Sequence, residues 1–280
     1  MNQTLRKCSG GLLCAFLLFC ALSAGAQKNG PLPDLTRLDF SACRLIVAGG
    51  TASDEAHLLA RMGQLALYQY ATEEETRAAF ALFAADAEFV ETDGVIRAAD
   101  GESESSEEAP MTREDNPFTA LEEIIEETDD AAPENTDGSS APLIALIDTG
   151  ADESLTFEAV SLIGDDPSDD NGHGTRMAQY ILRENPAARI LSIKAVGADG
   201  CGEISTFCAA LEYAVACGAD IINLSLSTPR KPDSAAIESA IENALSAGIR
   251  VVAAAGNQGQ KASFYLPGCI EAAEVGRAHV

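Results

Sequence analysis

At 280 residues and 29.2 kDa the chain is long enough for one large domain or two modest ones. It carries 18 Lys+Arg against 44 Asp+Glu, a net charge of −26, so it offers no basic face to replace the counterions of a nucleic-acid duplex or to adhere to an anionic membrane surface. Hydrophobic residues at 46% and 23 glycines argue for a packed core, and aromatics at only 5% with no Trp make that core aliphatic.

The first residues read as an address. Arg6 and Lys7 precede an apolar run from Leu12 to Leu22, and Ala24-Gly25-Ala26 follows as a small-x-small cleavage site. This predicts a signal peptide over 1–26 and a secreted, extracellular product. The run is too short to span a bilayer, and no later run approaches the roughly 20 apolar residues a membrane helix needs. Three of the eight cysteines lie in that leader. The other five (Cys43, Cys201, Cys208, Cys217 and Cys269) are odd in number, show no Cys-x-x-Cys spacing, and read as small buried hydrophobes.

Residues 27–100 predict a small α+β module. Arg44–Ala48 is a strand candidate, Thr72 and Glu75 form a capping box opening a helix that runs to about Ala85, and Glu88–Gly94 is a short strand and turn. Residues 101–140 hold one basic and 14 acidic residues and read as a solvated, disordered linker. Within it Phe118, Leu121, Ile124 and Ile125 share one helical face. Residues 141–280 then alternate strand and helix: strand Leu143–Ile147, a helix after His173, strand Arg189–Lys194, helix Thr206–Cys217 closed by Gly218, strand Asp220–Leu224, helix Ser234–Ala247 capped by Gly248, and strand Arg250–Ala255. Continuous apolar strands with helical crossovers predict an α/β fold, a doubly wound, mostly parallel sheet. Its sites are expected beyond the carboxyl ends of the strands.

Three side chains of distinct chemistry fall at those ends. Asp148 follows the first strand, where a carboxylate needs a hydrogen-bonding partner. His173 sits between two glycines at the start of a helix, and Asn257 follows the last strand after Ala254-Ala255-Gly256. A carboxylate, an imidazole and an amide donor are three parts of an acyl-transfer site.

Asp148-Thr149-Gly150, His173-Gly174-Thr175 and Ala254-Ala255-Gly256-Asn257 together resemble the Asp, His and oxyanion-Asn motifs of the subtilisin-like serine peptidases, the subtilases. Gly200–Glu203, Ala219–Ser227 and Tyr265–Gly268 agree with the family in order. The resemblance covers about residues 141–280, and 27–100 is similar, less strongly, to the family's inhibitory propeptide. It implies that Asp148 orients His173, that His173 serves as general base and then general acid, and that Asn257 donates to the oxyanion. It also implies that Ser225, Leu226 and Ser227, with Ala254, Ala255 and Gly256, line a cleft for an extended polypeptide substrate, with the chain's own propeptide segment as a second partner. No cofactor is implied beyond the structural calcium common in the family. Asp165-Asp166 and Asp169-Asp170 offer oxygen ligands, but they read better as a solvated acidic loop, and no metal ligand set is assigned.

One family element is missing. Subtilases carry the nucleophile in a Gly-Thr-Ser motif roughly 150 residues after the histidine. Only 107 residues follow His173, and no Gly-Thr-Ser occurs among them. Two expectations follow. One is the front part of a secreted serine endopeptidase; the other is a truncated, catalytically inactive relative that binds peptides or an intact peptidase. A doubly wound domain of a non-peptidase class is disfavoured by the absence of both Gly-x-Gly-x-x-Gly and a Walker-type Lys. Residues 141–280 alone are expected to fold poorly, with apolar sheet left uncovered.

Overall fold

The computed structural model describes residues 38–52, 54–98, 141–229, 234–254, 265–270 and 274–276. The signal peptide, the acidic linker with its apolar helical face, and Ala255, Gly256 and Asn257 lie outside the described residues. Two compact units are present: Met1–Leu59 with Gln64–Asp93, and Ala60–Gly63 with Gly94–Val280.

The first unit is an antiparallel sheet with one helix. Strands β1 (Arg44–Ala48), β2 (Leu58–Met62), β3 (Leu65–Gln69) and β4 (Phe89–Thr92) lie in the order β2-β3-β1-β4. Helix α1 (Glu73–Phe83) starts as its sequence requires. The Glu75 amide donates to Thr72 Oγ1 at 3.2 Å, and the Glu75 carboxylate reaches back to accept from the Ala71 amide, also at 3.2 Å. Thr76, Ala79, Phe80 and Phe83 recur at helical spacing and are buried. Ala79, Phe80 and Phe83 join Phe40, Leu45, Val47, Tyr68 and Tyr70 in one cluster, where the Phe40 and Phe80 rings meet edge to face at 5.7 Å.

The second unit is built on a six-stranded sheet. Its strands are β6 (Leu143–Asp148), β7 (Glu158–Ser161), β8 (Arg189–Lys194), β10 (Ile221–Leu224), β12 (Arg250–Ala254) and β14 (Glu274–Gly276), in the order β14-β12-β10-β6-β8-β7, and every pairing is parallel. The connections run through α2 (His173–Glu184), α3 (Ile204–Ala216) and α4 (Ala235–Ser246). From β6 the chain steps to β8 on one side and then returns past β6 to β10 on the other. Right-handed crossovers therefore set α2 on one face and α3 and α4 on the other, the doubly wound arrangement expected. Residues Ile204–Ala214 of α3 are buried throughout, as for a helix enclosed between a sheet and a neighbouring helix. On the α2 face, Leu146, Ala151, Ala178 and Ile190 form the core.

A small antiparallel sheet completes this unit. Strands β5 (Val95–Ala98), β9 (Cys201–Glu203), β11 (Leu226–Pro229) and β13 (Tyr265–Leu266) lie in the order β13-β11-β5-β9. Among the described cysteines Cys208 is fully buried, and Cys43, Cys201, Cys217 and Cys269 are half-buried. Burial, with the nearby Glu158 charge, pushes the Cys217 thiol up to about 11. Among the described residues no helix is long and apolar enough to cross a membrane.

Candidate active site

β6 is the strand at which the order of the parallel sheet reverses, with β8 on one side and β10 on the other. The crevice beyond the carboxyl end of such a strand is where doubly wound sheets place their sites. Asp148 is the last residue of β6, and its side chain is fully buried. His173 is the first residue of α2 and is 2% exposed. Asp148 Oδ1 and His173 Nδ1 are 2.7 Å apart, and the Thr149 amide donates to the same oxygen at 2.8 Å. Burial pushes the Asp148 carboxyl up, against the pull of the His173 and Thr149 hydrogen bonds. Its other oxygen, Oδ2, is buried without a hydrogen-bond partner among the described residues. With Nδ1–H held by a carboxylate, the ring is locked in orientation and its Nε2 is the atom left to accept a proton.

Two glycines let the strand end and the helix start approach this closely. Gly150 has φ +97, and a Cβ there would lie 2.6 Å from the Pro167 carbonyl oxygen. A Cβ on Gly174 would lie 1.9 Å from the Gly150 carbonyl oxygen and 3.1 Å from Asp148 Cβ.

The capping position ahead of α2 is Gly172, which has φ +92 and no side chain with which to cap the helix. Asp169, three residues earlier, does that work. Its Oδ1 accepts from the Gly172 amide at 2.7 Å and the Asn171 amide at 3.1 Å, and its Oδ2 accepts from the Thr175 amide at 2.8 Å. Oδ1 also accepts from Thr149 Oγ1 at 2.8 Å, and Thr149 Oγ1 in turn accepts from the Gly174 amide at 3.0 Å. Burial alone raises the Asp169 pKa, but the hydrogen bonds from Thr175, Gly172 and Thr149 outweigh it and hold the carboxyl below its ordinary range. Behind this loop the buried Lys194 donates to the Ser168 carbonyl at 2.8 Å and lies 3.0 Å from Asp170 Oδ1. Two residues of the acidic loop are thus held by hydrogen bonds and an ion pair. Among the described residues no group of three or more His, Cys, Asp or Glu is placed to hold a metal ion.

Of the other expected site residues, Ser225, Leu226, Ser227 and Ala254 are described. Ser225 is half-buried between β10 and β11 and accepts from Asn223 Nδ2 at 3.0 Å. Leu226 and Ser227 are buried in β11, where they pair antiparallel with Ala98 and Arg97 of β5. On its other edge β5 pairs with β9, Val95 against Glu203 and Arg97 against Cys201. Thr228 Oγ1 donates to the Val95 carbonyl at 2.9 Å, and Arg97 Nη1 lies 2.7 Å from Cys201 Sγ. An extended segment of this chain therefore lies as the central strand between β9 and β11. Ala254 ends β12, while Ala255, Gly256 and Asn257 remain outside the described residues. Sequence reasoning missed Asp169 and Thr149. The available signal was a carboxylate three residues ahead of a glycine helix start, followed by Asn171.

Residues 139–273 match the model of the Subtilase family. Similar proteins include Subtilisin BL of Lederbergia lenta, 37% identical over 136 residues that make up 44% of this chain and 50% of that protein. Subtilisin Savinase, also of Lederbergia lenta, is 35% identical over the same shares. The Thermophilic serine proteinase of Bacillus sp. (strain AK1) is 35% identical over 48% of this chain and 38% of its own length. The chain thus spans half or less of the length of the relatives it matches.

Proposed function

We propose, on the premise that residues 139–273 are subtilase-family sequence, that the second unit carries the base half of a serine endopeptidase site. In this reading Asp148 holds the His173 imidazole in one tautomer and stabilises the imidazolium that forms. His173 takes the proton of a serine hydroxyl as it attacks a peptide carbonyl, and then delivers it to the leaving amine. Asn257 donates to the oxyanion, worth roughly 10²–10³ in turnover. The polypeptide substrate pairs extended with Ser225-Leu226-Ser227 in a cleft that Ala254-Ala255-Gly256 also line, and a signal peptide over 1–26 exports the protein. The observation that carries this reading is the buried 2.7 Å Asp148–His173 contact at the reversal point of the parallel sheet.

None of the 280 residues supplies the family's Gly-Thr-Ser. A second reading is accordingly a peptide-binding or peptidase-inhibiting role for the chain as it stands, and the strand β5 favours it. Val95–Ala98 pairs on both edges, with β9 and β11, as an extended peptide would. In either reading residues 27–100 act as a propeptide whose last strand occupies the substrate's place.

The test reads the coding DNA past the Val280 codon and expresses the extended frame. If it reaches a Gly-Thr-Ser motif, the product should hydrolyse a chromogenic peptide anilide, and His173→Ala should lower kcat by on the order of 10⁶-fold. An extended protein equally active with Ala at 173 overturns the role of His173. A stop codon directly after Val280 leaves the binding reading in place of the catalytic one.

A further inference from the structure

We propose that Asp169 is a positioning residue for His173: by bridging Thr149 and the first turn of α2, its carboxylate sets where the imidazole stands relative to Asp148. This rests on the reading of His173 as general base and adds to it the device that holds the base in place.

Asp148 ends β6 and His173 begins α2, 25 residues later, and their side chains meet at 2.7 Å. The tie runs through side chains. Thr149, which follows Asp148, gives its hydroxyl hydrogen to Asp169 and receives the amide of Gly174, which follows His173. Asp169 in turn receives the amides of Gly172 and Thr175, so the peptide groups on both sides of His173 are fixed to the same carboxylate and hydroxyl. The His173 amide itself goes to Asn171 Oδ1 at 3.2 Å.

An ordinary helix cap satisfies amides of its own first turn and nothing else. Asp169 does this and also reaches a different element, so the separation of the strand end from the helix start is fixed by the same bonds that cap the helix. Lys194, which stands opposite Asp148 in the β6–β8 register, braces the loop from behind through Ser168 and Asp170. An asparagine at 169 has the same shape but a single acceptor oxygen, and its NH₂ would face an amide or hydroxyl donor. Misplacement of a catalytic group by about 1 Å costs on the order of 10²-fold in rate, so such a brace bears directly on function.

The experiment uses the full chain with ¹⁵N-labelled histidine. NMR follows the Nδ1–H resonance of the His173–Asp148 hydrogen bond and the titration of the ring. Asp169→Asn and Thr149→Val should each abolish or broaden the Nδ1–H signal and lower the His173 pKa by about one unit, whereas Thr149→Ser, which keeps the hydroxyl, should retain both. The double variant should do no more than either single change. Should Asp169→Asn fail to fold, the Thr149→Val and Thr149→Ser pair carries the test. Asp148→Asn separates the two levels. If it alone perturbs the ring while the Asp169 and Thr149 variants leave the signal and pKa unchanged, the positioning role falls and the base reading stands. If Asp148→Asn also leaves the ring unchanged, the base reading itself falls.

Discussion

The helices α1 and α2 begin in opposite ways. α1 is capped by its own neighbours, with Thr72 and Glu75 satisfying amides within five residues of one another. α2 follows a glycine and is capped by Asp169, which also holds the end of a strand through Thr149. A local cap stabilises a helix wherever that helix lies. A cap that grips a second element also dictates where the helix lies. The second kind stands beside the buried contact of Asp148 with His173.

The sharpest way to break this comparison is to force the two elements at Asp148 and His173 apart. Gly174→Ala puts a methyl into the Gly150 carbonyl and should cost about 3 kcal/mol or more in chemical denaturation. Leu146→Ala, in the core under α2, should cost about 3 kcal/mol through lost burial and the cavity left behind. Thr72→Ala removes only a local cap and should cost about 1 kcal/mol, without moving any signal of His173.

Acid should separate the two helix starts. Asp169 is held below its ordinary pKa, so on acidification the unfolded state takes up the proton first. Its stabilising contribution is complete above about pH 4 and is lost as pH falls through the lower folded value. Hydrogen exchange at the Gly172 and Thr175 amides should therefore accelerate in that window. The Thr72 hydroxyl does not titrate there, and its hydrogen bond to the Glu75 amide should persist. The smallest effect is expected at Arg77, which pairs with Glu73 across one turn at 3.3 Å and lies over the Phe40 ring on a largely exposed face. Arg77→Ala should cost about 0.5 kcal/mol in thermal unfolding.

The elements legible in the sequence were those with a long apolar run or a local stop signal. β6, β8 and β12 announce themselves as near-continuous apolar strands. α4 shows Ser234 at its start and Gly248, at φ +85, past its end. β7, β9 and β11 were not read as strands, because three or four residues held by cross-strand hydrogen bonds leave no periodicity to see. β2 and β3 were missed although Gly63, at φ +57, marks the turn between them. At the site, Asp148 and His173 were legible from their motifs. Asp169 was hidden in a run of carboxylates that resembles a solvated face, since nothing local distinguishes a carboxylate accepting four hydrogen bonds from one facing water.

β5 has a consequence for concentration. Because Val95–Ala98 is covalently joined to the unit whose strands it bridges, its occupancy of the place between β9 and β11 is a unimolecular matter. Dilution cannot empty it, and under the proposed function a competing peptide would have to overcome an effective local concentration on the order of millimolar. A single backbone cut within residues 99–142 would make the same strand a separable ligand, held by its intrinsic affinity and lost on dilution.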